Sequence, residues 1–72
     1  MSEMSPAKRV RVLVADDHPL YRDGVVRALS ASGQVEVVGE VGDGREALSE
    51  IQKKTPDVAL LDYKLQIGRA HV

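Results

Sequence analysis

Val10, Val12, Leu13, Val14 and Ala15 form an apolar run broken only by Arg11, and it stops abruptly at Asp16 and Asp17. A strand with one wet face alternates apolar and polar residues; a near-continuous run needs cover on both faces. The run therefore predicts a strand inside a parallel sheet with helices above and below it. Two more apolar runs follow, Val35, Val37, Val38 and Val41, then Val58, Ala59, Leu60 and Leu61, the last ending at Asp62. Each is rich in β-branched or aliphatic residues and close to the usual length of a strand.

The segments between these runs carry helical signals. Pro19 suits a first helical turn, where its missing N–H costs nothing. Tyr21, Val25, Ala28 and Leu29 recur at helical spacing and are expected to face the sheet. Gly24 inside that helix is unfavourable, and Gly33 is placed to end it in a left-handed conformation. Gly42, Asp43 and Gly44 form a turn, with Asp43 as a cap for a second helix running from about Arg45 to Lys54. Ala47, Leu48 and Ile51 lie on one face of it, and Lys53 and Lys54 suit the negative end of its dipole. Thr55 precedes Pro56 and so leaves helical geometry. The order strand, helix, strand, helix, strand with short connections predicts an α/β fold with parallel strands and right-handed crossovers.

Seventy-two residues make one small domain at most, with marginal burial. Cysteine is absent, so neither disulfides nor thiolate metal sites are available. Phe and Trp are absent too, so a core must come from Val, Leu, Ile and Ala. A net charge of -1 gives no basic footprint for nucleic acid, and Lys8, Arg9 and Arg11 read as a solvated flank. No apolar run is long enough to span a membrane, and Met1 to Lys8 lacks the apolar centre of a secretory signal, so the expected location is the cytoplasm.

The chemistry lies at the strand ends. An aspartate after a strand ordinarily caps a helix or makes a turn. Here the first and third strands both end in carboxylates, and the crevice of an open parallel sheet lies at that end, where the winding reverses. If those strands are neighbours, Asp16, Asp17 and Asp62 converge. Such a cluster repels itself, and a hard divalent cation relieves the repulsion; an all-oxygen set with room for water suits Mg²⁺ better than zinc. A carboxylate beside it could act as nucleophile toward a phosphoryl donor.

The stretch from Val12 through Asp16, Asp17, His18 and Pro19 to Gly24 resembles the opening of receiver domains of the NarL/FixJ class. Gly42 to Leu48 resembles the turn into their second helix, and Pro56 to Leu65 their phosphorylation segment. The resemblance implies an incomplete flavodoxin-like fold with strand order 2-1-3, and a two-component signalling domain rather than an enzyme. It implies that Asp62 is the phosphoacceptor, and that Asp16, Asp17, Asp62 and the backbone carbonyl of Lys64 hold Mg²⁺. The implied phosphoryl source is a sensor histidine kinase. DNA contact is expected only through a C-terminal output domain outside these residues, with room for a homodimer of the full-length protein. His18 is expected to be part of the loop into the first helix, not a ligand. Two other classes fit parts of the pattern. An aspartate-nucleophile phosphatase would use Mg²⁺ the same way, but Lys64 stands where its second acid belongs. An interaction fragment would pair its open edge with another chain and would not need Asp62.

The domain reading is a disordered lead-in over Met1 to Lys8, the N-terminal part of a receiver over Arg9 to Leu65, and a non-native tail from Gln66 to Val72. The tail departs from the family pattern at a single residue and reads like the in-frame translation of a common sequencing adapter. The later strands of a receiver, with their hydroxyl, lysine and aromatic switch residues, are not in the chain. The third strand is then an exposed apolar edge. A stable, fully competent receiver is not expected from these 72 residues, and a thermal melt should show no cooperative transition.

Overall fold

A computed structural model describes residues 9–62. The elements are β1 (Val10–Ala15), α1 (Pro19–Ala31), β2 (Val35–Val41), α2 (Gly44–Lys54) and β3 (Val58–Leu61). The three strands form one parallel sheet in the order β2-β1-β3. The connection β1 to β2 steps one way along the sheet and β2 to β3 steps back across β1. Right-handed crossovers in opposite directions place α1 and α2 on opposite faces. The lead-in over residues 1–8 and the tail over residues 66–72 lie outside the described residues, as does Lys64.

β1 is covered on both faces, as its apolar run requires. Val12, Leu13, Val14 and Ala15 are all buried, and Leu13 is 0% exposed. Leu13 and Ala15 point to the α2 side, where Ala15 packs with Val41 and Ala47. The pairing of β1 with β2 shifts register between Val12 and Leu13, so that Val12 faces Val37 and Leu13 faces Gly39. Val38 is the extra residue, and its carbonyl accepts a hydrogen bond from Lys54 Nζ at 2.8 Å. Lys54 also meets Glu50 at 3.2 Å, so the end of α2 is pinned to the irregular part of β2.

Several sequence expectations hold in local detail. Asp43 caps α2 by accepting from the Glu46 N–H at 2.7 Å, while Glu46 reaches back to the Gly42 N–H at 3.4 Å. This is close to the reciprocal arrangement of a capping box. Gly33 takes a left-handed φ of 76° just past α1. α2 begins at Gly44 and ends at Lys54, and Thr55 leaves the helix with a left-handed φ of 42°. Arg11 is not a free basic flank. Its guanidinium donates to the Thr55 carbonyl at 2.9 Å, and its N–H donates to Asp57 Oδ2 at 2.9 Å, which ties the entry of β3 to β1.

Two expectations need correction. Tyr21 and Ala28 do not face the sheet; Tyr21 is 65% exposed. The inward stripe of α1 is Arg22, Val25, Val26 and Leu29, all half-buried, at positions i, i+3, i+4 and i+7. An arginine opens that stripe, so counting apolar residues alone rotates the helix wrongly. Leu48 is also largely outside, whereas Gly44 and Ala47 are buried on the inward face of α2 and Ile51 is half-buried. The exposed apolar edge expected at β3 is present: Val58, Leu60 and Leu61 are exposed, and among the described residues β3 pairs with β1 alone.

Two glycines give opposite predictions. A Cβ on Gly39 would lie 2.7 Å from Leu13 Cδ1, in the best-packed part of the sheet. Gly39→Ala is expected to destabilise by about 1–3 kcal/mol. A Cβ on Gly24 meets nothing within 4 Å, and Gly24→Ala should stabilise α1 by about 0.5–1 kcal/mol. Helical circular dichroism across a urea titration of the full-length protein reads both: the Gly39 variant loses signal at lower urea and the Gly24 variant at higher urea.

Candidate functional site

The sheet ladder sets where each carboxylate starts. Beyond the last paired residues, the Asp16 N–H donates to the Val41 carbonyl at 3.1 Å and the Asp62 N–H donates to the Ala15 carbonyl at 3.0 Å. These bonds continue the β1–β2 and β1–β3 pairings by one residue each, so Asp16 and Asp62 leave the sheet side by side. Their adjacency follows from the order β2-β1-β3, which puts β3 directly against β1.

Asp16, Asp17 and Asp62 each offer a carboxylate oxygen, and these oxygens lie within 4.8 Å of one another. Asp16 is buried at 6% exposure, Asp62 is half-buried and Asp17 is exposed. Burial of a carboxylate demands partners, and Asp16 has one: its Oδ1 accepts the His18 N–H at 2.8 Å. That bond shapes the turn between β1 and α1. His18 occupies the N-cap position of α1 without a side-chain cap bond, and Pro19 follows as the first helical residue. The histidine therefore serves the turn through its backbone, and its ring is not among the clustered ligand atoms of the described residues. The N-terminal end of α1 abuts the acidic turn, and the positive end of a helix dipole favours negative charge there.

An open groove of about 730 Å³ runs from the cluster along the α1 side of the sheet. Tyr21 and Val25 form one wall, Leu60 and Leu61 the other, and the three aspartates close one end. Charged oxygens at the end of an apolar slot form a place where a cation and an anionic group could meet. The cluster offers only hard oxygen donors, with no sulfur or imidazole among them. That donor set fits Mg²⁺ rather than zinc.

Sequence reasoning missed one contributor. Arg22 Nη1 donates to the Asp16 carbonyl at 2.8 Å and to the Val41 carbonyl at 3.3 Å, bracing the turn that carries the aspartates. The available signal was its position three residues before Val25 on the inward stripe, which a search for apolar residues passes over.

The two roles of Asp16 are separable. Asp16→Asn keeps a side-chain oxygen for the His18 N–H, whereas Asp16→Ala leaves that donor without its partner. The alanine variant should lose about 1–2 kcal/mol of stability by the cost of an unmade bond, and the asparagine variant appreciably less. Urea titration of helical signal in the full-length protein measures both, and equal losses would show that the His18 bond contributes nothing.

Known proteins resemble this chain in sequence and fold. Residues 12–68 match the family model described as response regulator receiver domain. A probable transcriptional regulatory protein NarL of Mycobacterium tuberculosis is 63% identical over 65 residues, which is 90% of this chain and 30% of the relative. The chain thus spans about 30% of that relative's length. The signal receiver domain of the putative response regulator NarL from Mycobacterium tuberculosis superposes with a TM-score of 0.79 at 64% identity. That match covers 81% of this chain and 47% of the other. RcsB from Salmonella enterica serovar Typhimurium, solved bound to promoter rprA in the presence of phosphomimetic BeF3-, superposes with a TM-score of 0.77 at 28% identity. It covers 85% of this chain and 30% of that one. No helix among the described residues is long and apolar enough to cross a membrane. With its parallel three-stranded sheet and acidic strand ends, the chain belongs to the response regulator receiver domain family.

Proposed function

We propose that this chain works in the cytoplasm, where its acidic cluster accepts a phosphoryl group on Asp62 from the phosphohistidine of a sensor histidine kinase. The observation that supports this reading most directly is the meeting of Asp16, Asp17 and Asp62 within 4.8 Å, at one end of an open groove. In the transfer, an Asp62 carboxylate oxygen forms a bond to phosphorus as the donor's P–N bond breaks. The electron pair stays on the donor nitrogen, which takes up a proton. Mg²⁺ would be held by Asp16, Asp17, Asp62 and the backbone carbonyl of Lys64, and when bound it offsets the negative charge of carboxylates and phosphoryl oxygens. Buried Asp16 and its His18 bond keep the turn in place, and Asp17, being exposed, is open to solvent and to the donor.

Phosphorylation in the full-length protein would then control an output domain that contacts DNA, with room for a homodimer. The RcsB relative was solved on a promoter with a phosphomimetic present, which is the precedent for that coupling. We further propose that the receiver portion of this chain ends at Leu65 and that Gln66 to Val72 are foreign to it.

Resequencing the source gene from the codon for Leu65 comes first, because a frame continuing into further strands identifies the protein to test. In that protein, a small acyl phosphate with Mg²⁺ should add one phosphoryl group by intact mass, and Asp62→Asn should abolish it. Sustained release of phosphate from a phosphate ester would instead make the site a hydrolase. An activity that survives Asp62→Ala would point to an interaction role.

A further inference from the structure

Arg22 is the half-buried charged residue on the inward stripe of α1, and its Nη1 donates to two main-chain oxygens at the strand ends. One acceptor is the carbonyl of Asp16 itself. The other is the Val41 carbonyl, which also receives the Asp16 N–H at 3.1 Å. Arg22 and the Asp16 backbone therefore share an acceptor, and the guanidinium closes a small ring of bonds around the residue that supplies the buried carboxylate. Gly42 adjoins this ring. A Cβ there would lie 3.1 Å from Arg22 Nη1, tighter than a comfortable contact.

We propose that Arg22 is a positioning residue for the acidic site, holding the Asp16–Asp17 turn in the geometry that binds a divalent cation. The inference rests on the assignment of that cluster as a cation site. The guanidinium does not touch the cation in this scheme. It acts through the Asp16 backbone, and loss of a group that orients metal ligands commonly costs about 10–100-fold in metal affinity. It also brings a positive charge to a turn bearing two adjacent carboxylates. Both bonds come from one nitrogen, so a lysine ammonium, with three donors on one atom, can reproduce them.

The test is Mg²⁺ titration by calorimetry, well below the melting range, on the protein encoded by the resequenced gene. Arg22→Met should weaken Mg²⁺ binding at least about tenfold, and Arg22→Lys should restore it to within about threefold of the parent. Gly42→Ala, which crowds Nη1 from the other side, should weaken binding in the same direction. The Arg22→Met, Gly42→Ala double variant should be no worse than Arg22→Met alone. Unchanged Mg²⁺ affinity in Arg22→Met, even with lower thermal stability, overturns the proposal, since bracing of the fold alone gives that result. If Arg22→Met does not fold, Gly42→Ala decides alone, and unchanged affinity there overturns it. If the parent itself binds no Mg²⁺, the cation-site assignment fails, and this inference falls with it for that distinct reason.

Discussion

β1 lends its hydrogen bonds to β2 on one edge and to β3 on the other, and the bond just past each paired segment starts a functional residue. Asp16 hangs from the Val41 carbonyl and Asp62 from the Ala15 carbonyl. In a parallel pair all strands point the same way, so their carboxyl ends gather along one rim of the sheet. A slip of either pairing by one residue would turn every side chain of that strand to the other face. It would also part the carboxylates. The burial of Val12, Leu13, Val14 and Ala15 is what makes such a slip costly.

That register is protected by close packing more than by polar contacts. Gly39 leaves just the space that Leu13 fills, and the bulged Val38 carbonyl is taken up by Lys54. At the other end of the sheet, Arg11, Thr55 and Asp57 close the entry to β3 with paired main-chain and side-chain bonds. The exposed ion pair Arg27–Asp23, at 3.0 Å along α1, contributes little by comparison, as surface pairs generally do. Burial is uneven across the fold: β1 is enclosed, α1 has no fully buried residue, and β3 carries its aliphatic side chains in the open. The site is thus built where the best-packed strand meets the least-packed one.

A receiver separates the residues that hold a charge cluster from those that shape it, and both are visible here. Asp16, Asp17 and Asp62 supply oxygen atoms. His18 through its N–H, Arg22 through its guanidinium and Gly42 through its lack of a side chain shape the turn around them. The groove between α1 and β3 gives the cluster an apolar approach on one side. Family membership covers the fold; the chemistry depends on these few residues.

Much of this molecule was legible in its residues because the signals are local. The apolar run of β1, the cap at Asp43, the left-handed Gly33 and the end of α2 before Pro56 each depend on neighbours within a few positions. So did the three carboxylates, each marked by the end of an apolar run. Residue patterns left the neighbour of β3 open, and resemblance to receivers supplied the order 2-1-3. The tertiary structure brought Asp62 beside Asp16 as that resemblance implied, and it alone turned Arg22 inward in place of Tyr21 and showed that a side chain at position 39 would collide with Leu13. Those outcomes rest on contacts between residues far apart in the chain, such as Arg11 with Asp57 across 46 positions. Local sequence carries no record of which distant strand will take an edge, or of how a helix rotates when an arginine finds main-chain acceptors at the end of the sheet.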